Sequence, residues 1–473
     1  MDFRSHTVIE LAASVRSGEL TASGLAHSAL DNIAHFNEAV GAVCATDAEK
    51  TLAEADAVDE AVRSGRSLPL AGIPIVVKDL EDAKGFRTTH GSLLHAEDPA
   101  ATRDSVFVRR LRAAGCVVVG KSNTPAFGHK AETENRVFGP TTNPWNPAYQ
   151  AGGSSGGTAA ALAAGIVPLG TGSDGGGSIR IPASVCGLPG FKPSVGRVPF
   201  GEGDAPSVGT LAVKAPMTTN VDDLVAVLDI CVGPDPTDPD SLPRDIHSWI
   251  DAVAQHPVPR RVAFSPTMGF AEIDPTVDRI VRTAIEQISA QGVDVVEVQS
   301  IWPESPLSPW VTQWAVRQAA ALSEHKGTPT WDLIDPSLQF HVDLGGPVTG
   351  VELAQALEAK YLLFELLQEV LADVDVLLTP TVAGRPPRIG HHGTIDGVEV
   401  GDWVQLTYGF NVSGNPAGTL PIGLDTNDLP VGLQIIGRGR DDIGVLAAMR
   451  SWEELLAPNP RWPRRGLLDA GAS

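Results

Sequence analysis

Apolar residues recur at three- and four-residue spacing through residues 5–66, beginning with Val8-Ile9-Glu10-Leu11, and predict helices along that stretch. Ser5 is placed to cap the first helix. Thr46-x-x-Glu49 has the form of a capping box ahead of LAEADAVDEAV, and Ser64-Gly65 supplies a stop. At Leu70 the period changes. Leu70-Ala-Gly-Ile-Pro-Ile-Val-Val77 is a short apolar, β-branched run ending on Lys78-Asp79, which predicts a buried strand with a cation at its end. Asp79 is expected to be exposed or to act as a cap. Val106–Ala114 returns to helical spacing, Gly115 breaks it, and Cys116-Val-Val-Val119 predicts a second buried strand. Strand, helix and strand at this spacing point to a parallel sheet with both faces covered.

The same reading extends to the C-terminus. Gly156–Gly165 predicts an alanine-rich helix and Ile166–Leu169 a strand running into Gly170–Asp174. Arg261–Ser265, Pro275–Ala290 and Val293–Val298 repeat the strand–helix–strand rhythm. Val351–Leu371 predicts a long amphipathic helix, Val374–Leu378 and Leu429–Ile436 strands, and Ile443–Leu456 a closing helix. Arg385–Asp402 reads as a loop, Phe410–Pro421 as a turn region, and Asp235–Arg244 as a surface insertion in preference to a domain boundary.

Composition narrows the function classes. A formal net charge of −22 over 473 residues argues against a nucleic-acid or anionic-membrane surface. Four widely spaced cysteines with no CxxC pair argue against a disulfide scaffold or a zinc ribbon, so no metal is expected. The first residues carry Asp2, Arg4, Glu10 and Arg16, unlike a secretory signal, and a cytoplasmic protein is expected. No charged residue lies between Arg136 and Asp174, but the glycines, Pro168 and paired serines of that run fit a lipid-spanning helix poorly.

The candidate chemistry lies in Gln150–Ile181, QAGGSSGGTAAALAAGIVPLGTGSDGGGSIRI. Two serine clusters occur there, Gly152-Gly-Ser154-Ser155-Gly-Gly157 and Gly175-Gly-Gly-Ser178. Serine between glycines is a hydroxyl with little steric cover. Gly170-x-Gly172-x-x-Gly175 matches a dinucleotide-binding fingerprint, but neither a following helix of the right kind nor the later acidic residue is in place. Gly152-x-Ser154-x-Gly156 matches the nucleophile elbow of an α/β-hydrolase with a Ser-His-Asp triad. That reading needs a later His, and His247, His256, His325, His341, His391 and His392 are available without a turn that marks one as catalytic. The alternative uses lysine as base. Serine attack on a carbonyl needs a base, oxyanion donors and an acid for the leaving group. A lysine serves as base if burial among neutral hydroxyls lowers its pKa, and IPIVVK makes Lys78 a candidate.

Taken together, GIPIVVKD around Lys78, GKSNTPAFG at 120–128, GPTTNPWNP at 139–147, AGGSSGGTAAALAAG at 151–165, GTGSDGGGSIRIPASVCGLPGFKPSVGRV at 170–198, DVLLTP at 375–380 and LPVGLQIIGR at 429–438 resemble the amidase signature family. The resemblance spans nearly the whole chain. It implies an α/β fold with one large mixed, mostly parallel twisted sheet sandwiched between helices. It also implies a single domain over residues 1–473, with an N-terminal helical region at about 1–66 and a helical or loop insertion at about 300–372. It implies Ser178 as acylated nucleophile, Ser154 after a cis peptide from Gly153 as proton bridge, and Lys78 as base. Gly175, Gly176, Gly177 and Ser178 would donate backbone N–H groups to the oxyanion. Ser155 would support Lys78, and Asp174 and Arg180 would form a structural pair. One departure is Gly175, where many members carry Thr or Ile, so substrate choice is open. No cofactor is implied.

The resemblance is to stand-alone bacterial hydrolases, including the nylon-oligomer cyclic-dimer hydrolase, aryl acylamidases and urethanases. It implies hydrolysis of small or hydrophobic amides, anilides, esters and carbamates by water, with Phe127, Gly128, Asn411 and Asn415 near the substrate. Loop 126–134 and the stretch holding Trp310, Trp314 and Trp331 would shape the entrance; the tryptophans equally suit helix packing. A homodimer stays open. The transamidase that acts on misacylated tRNA is the alternative within the family. Its SRYGLV-like segment is absent from PFGEGDAPSVGTLAVKAPMTTN at 199–220.

Overall fold

Lys78 ends the middle strand of a five-stranded sheet, in the order Val43–Thr46, Val117–Ser122, Pro74–Lys78, Leu169–Asp174, Val213–Thr218. The computed structural model describes residues 1–201, 211–244, 246–464 and 466. A second sheet of six strands has the order Asp294–Glu297, Arg261–Phe264, Val376–Pro380, Pro430–Ile436, Ala417–Leu424, Gly190–Lys192. Helices cover both sheets, and the largest apolar cluster draws on residues from Phe3 to Leu456, including strands of both.

The mixed α/β reading holds, but the pairings are close to evenly divided. Pro74–Lys78 is parallel to both neighbours, as is Arg261–Phe264 in the second sheet. The remaining five pairings are antiparallel. The parallel pairs are those joined through helices. Antiparallel ones include the hairpin of Ala417–Leu424 with Pro430–Ile436, the strands added at sheet edges, and the interior pair Val376–Pro380 with Pro430–Ile436.

The differences from the expected elements have local causes. Thr7, not Ser5, caps the first helix: its side chain accepts from Glu10 N while Glu10 reaches back, a capping box one register later. Val43–Thr46 is an edge strand inside the region read as helical, so the next helix is capped by Asp47 in place of Thr46. The strand after the alanine-rich helix begins at Leu169 and contains Gly170–Asp174 instead of leading into it. Its alternate small residues are needed on a crowded face: a Cβ at Gly172 would lie 3.0 Å from Ile179 and Met217. Residues 385–402 contain a hairpin, Gly393–Ile395 with Val398–Val400. Phe410–Pro421 holds a short helix, Gly409–Ser413, and the start of a strand. Asp79 is buried and pairs with Lys121 at 3.2 Å, while Thr89 N–H donates to it. The expectation of an exposed Asp79 overlooked Lys121, the cation on the adjacent parallel strand.

Between Asp294–Glu297 and Val376–Pro380 lie three helices, of which Leu307–Leu322 packs on both Pro336–Gly345 and Gly350–Leu371. No helix among the described residues is long and apolar enough to cross a membrane.

Gly156–Ala163 is a helix buried along its whole length, and glycine opens it for steric reasons. A Cβ on Gly157 would lie 2.3 Å from Asn123 N and 2.6 Å from Ala42 O, both backbone atoms with little room to move. Gly157→Ala is expected to destabilise the protein by about 1–3 kcal/mol, the range for overpacking a tight interior. A thermal melt within a degree of the parent would show that the neighbouring strand yields.

Candidate active site

The central strand buries the whole Lys78 side chain, which is 0% exposed, and aims it at hydroxyls from two other segments. Lys78 Nζ donates to Ser154 Oγ at 2.8 Å, Ser155 Oγ at 2.8 Å and Ser173 Oγ at 3.0 Å. Its backbone N–H donates to Thr171 Oγ1 at 2.9 Å. Among the described residues no carboxylate forms a hydrogen bond or ion pair with the amine. Burial therefore dominates and pulls Lys78 down to about 7, against the attraction of Asp174 and Glu81. Thr171 and Ser173 are two residues apart on one strand and so share a face. Ser173 is not among the residues that the sequence singles out, although hydroxyls alternating with glycines in Leu169–Asp174 carried the signal.

Ser154 follows a cis peptide bond from Gly153. Gly128, at φ +68°, abuts it: a Cβ there would come 3.1 Å from Ser154 Oγ. The two serine clusters are joined directly, since Ser155 N–H donates to Ser178 O at 3.1 Å. Ser178 is half-buried, and its hydroxyl has no hydrogen bond among the described residues.

The Gly175–Ser178 loop has an ordered polarity. Its carbonyls are all held from outside. Asn411 Nδ2 donates to Asp174 O at 3.0 Å, Trp310 Nε1 to Gly175 O at 2.9 Å, Thr407 Oγ1 to Gly176 O at 2.6 Å, and Ile181 N to Gly177 O at 2.7 Å. The N–H groups of Gly175, Gly176 and Ser178 have no partner among the described residues. Gly177 differs: its N–H donates to Asp174 Oδ1 at 2.8 Å, so this expected oxyanion donor is already engaged.

Asp174 and Arg180 are both 0% exposed and form a two-toothed pair, Nε to Oδ2 at 3.0 Å and Nη2 to Oδ1 at 2.9 Å. Burial alone would raise the Asp174 carboxyl, but Arg180 and Asn411 hold it well below the usual carboxylate range. Arg180 also donates to Thr407 O, Gln434 Oε1 and Asn411 Oδ1. The pair anchors the loop: Asp174 Oδ2 also accepts from Ile179 N.

Asn411 and Asn415 are corrections. Asn411 spends its amide on Asp174 and Leu211 O, and Asn415 donates to Gly437 O at 2.9 Å. Both are buried supports, not pocket walls, because a turn rich in Asn and Gly meets backbone groups before anything else. Phe127 is half-buried, stacks on His90 at 5.6 Å, and packs in a satellite cluster with Trp331. Trp310 stacks on Trp314 at 5.3 Å. Among the described residues no histidine bonds Ser154 or Ser178. Part of the 199–220 stretch, residues 202–210, lies outside the described residues. There is also no group of three or more His, Cys, Asp or Glu residues among the described residues that could hold a metal.

Comparison with known proteins bears on the fold as a whole. The Amidase family model matches residues 25–446. An acylamidase from Rhodococcus erythropolis is 34% identical, over 94% of each chain. One chain of the glutamyl-tRNA(Gln) amidotransferase from Synechococcus sp. (strain WH7803) is 32% identical, over 94% of this protein and 96% of that one. Among solved structures, a bacterial aryl acylamidase of the amidase signature enzymes superposes with a TM-score of 0.89 at 27% identity, covering 99% and 98% of the two chains. The 6-aminohexanoate cyclic dimer hydrolase with substrate gives 0.86 at 31%, covering 99% and 100%.

Thr407→Val keeps the side-chain shape and removes the hydroxyl that holds Gly176 O. Amide hydrolysis is expected to lose roughly tenfold in kcat, about 1.4 kcal/mol, with KM changed less. A kcat equal to the parent's would mean that the carbonyl clamp does not set the loop.

Proposed function

The chain belongs to the amidase family and is an amide-hydrolysing enzyme, and from that premise we propose that it cleaves small or hydrophobic acyl amides through Ser178, Ser154 and Lys78. The observation that carries this is the amine of Lys78, brought to about 7 by burial and in contact with Ser154 Oγ at 2.8 Å. Neutral, the amine has two protons and a lone pair, so one of its three hydroxyl contacts must reverse, with the hydroxyl donating to nitrogen.

Ser178 Oγ attacks the amide carbonyl. Its proton passes to Ser154, whose own proton passes to Lys78 Nζ. The oxyanion lies against the N–H groups of Gly175, Gly176 and Ser178, whose carbonyls are fixed from behind and cannot swing to follow it. The tetrahedral intermediate then collapses as Lys78 returns a proton through Ser154 to the departing amine. This leaves an ester on Ser178, and water hydrolyses that ester by the same proton path in reverse. Nothing in these steps needs the leaving group to be an amine, so anilides, esters and carbamates belong to the same substrate class.

The transamidase reading rests on the similarity to the amidotransferase. It requires a stable protein partner together with release of ammonia from glutamine, so purification as a single chain without glutaminase activity would remove it. The Ser-His-Asp alternative makes Ser154 the acylated residue.

Four outcomes are expected. A fluorophosphonate should label Ser178, read by mass spectrometry of the peptide, and Ser178→Ala should lose at least about 10³-fold in kcat; label on Ser154 would transfer the nucleophile there. Because the base must be neutral, kcat/KM should rise with pH to a plateau, with an apparent pKa near 7. Lys78→Arg, which cannot deprotonate, should abolish turnover across that range, and a persisting limb would point to another base.

A further inference from the structure

The proton route through Ser154 fixes where the departing amine must lie. Ser154 returns the proton, so the leaving group sits on the Ser154 side of Ser178, and whatever borders Ser154 borders the leaving group. One short segment does so. A Cβ on Gly128 would lie 3.1 Å from Ser154 Oγ, and one on Gly153 would lie 2.8 Å from the backbone of Glu132. Thr133 Oγ1 then donates to Gly152 O at 2.8 Å. The stretch from Gly128 to Thr133 is therefore laid along Gly152–Ser154, and Glu132 is its one carboxylate.

The Glu132 side chain spans from this wall to the opposite one. Its Oε1 accepts from Trp403 Nε1 at 3.2 Å, and Trp403 is 0% exposed. Trp403 adjoins the turn in which Thr407 N–H donates to Val404 O, and the Thr407 hydroxyl holds Gly176 O. One carboxylate oxygen is thus fixed between the Ser154 wall and the support of the glycine loop. The other has no hydrogen bond or ion pair among the described residues, and it is not sealed from solvent. Neighbouring charges do not neutralise it. Lys130 is paired with Glu134 at 2.9 Å, and His392 is exposed. Burial raises the Glu132 carboxyl, and the Trp403 bond and Lys130 offset this only in part. A half-buried carboxylate without a countercharge is stabilised by any cation that can reach its open oxygen.

We propose that Glu132 determines leaving-group specificity, taking the ammonium of amides whose departing amine carries a second, protonated amine, the acylated alkyl diamines. This rests on the reading of Ser154 as the proton bridge. The open oxygen accepts a charge-assisted hydrogen bond from the ammonium while Trp403 keeps the other oxygen in place. Water cleaves such a substrate into a free acid and a diamine. A carboxylate on a fixed segment rewards one spacing between the two nitrogens, so the preference peaks at one diamine length.

The test compares kcat/KM for N-benzoylputrescine and its neutral isostere N-benzoylpentylamine, in the full-length parent and in Glu132→Gln. Glutamine keeps an oxygen for Trp403 and removes the charge. The parent is expected to prefer the cationic amide by at least about tenfold, and the variant to lose most of that preference. The butylamides of 6-aminohexanoate and heptanoate, which carry or lack an ammonium on the acyl side, should differ little. A parent without the preference overturns the proposal, whether or not the variant folds. So does a preference that survives Glu132→Gln, or an equal gain from the acyl-side ammonium. Failure of the Ser154 reading is seen separately, as fluorophosphonate label on Ser154 in place of Ser178, which does not depend on substrate charge.

Discussion

A fully buried amine whose nearest neighbours are all neutral hydroxyls is the constraint on which the rest of this structure depends. Lys78 could easily have been given a carboxylate, as Lys121 is given Asp79 and Lys214 is given Glu81 at 2.8 Å. Those two lysines each have a countercharge in contact. Three hydroxyls satisfy the geometry of an ammonium without supplying its countercharge, so desolvation outweighs the more distant Asp174 and Glu81 and the amine is drawn toward neutrality. The central position of Pro74–Lys78, with strands on both sides and the all-buried helix Gly156–Ala163 nearby, is what keeps water away.

The second requirement is a loop that offers N–H groups in one direction. A glycine-rich loop has no preference of its own, so direction is imposed by groups that take up its carbonyls. Trp310 and Thr407 do this from segments far along the chain, and Asp174, held by Arg180 and Asn411, fixes the loop's two ends. Arg180 is the centre of this support, because its five N–H groups reach Asp174, Thr407, Gln434 and Asn411 together. The cost of burying it is met by a complete set of partners.

Much of this was legible in the sequence, and the boundary is physical. Lys78, Ser154, Ser155 and Ser178 could be singled out because each sits in a local pattern, a strand end or a glycine-flanked turn. Helices with strong periodicity, such as Pro275–Ala290, were read to the residue. What could not be read were interactions between distant segments. Val43–Thr46 is four residues long and is a strand only because Val117–Ser122 offers an edge. Asp79 looked solvent-facing because its partner lies on another strand. Asn411 looked like a pocket residue, since nothing in FNVSGNPAG announces Arg180. The commitment of Gly177 N–H to Asp174 leaves no trace in the sequence either.

Trp310 belongs to the Leu307–Leu322 helix, in the part of the chain that reads as a helical or loop insertion, yet its indole is bonded to the backbone of the Gly175–Ser178 loop and leaves Gly176 no room for a side chain. The helix and the glycine loop are therefore mechanically joined at this residue. A lineage that exchanged the helical segment wholesale would have to reinvent a donor for Gly175 O at the same step. That requirement makes this one tryptophan a brake on how quickly the insertion can drift.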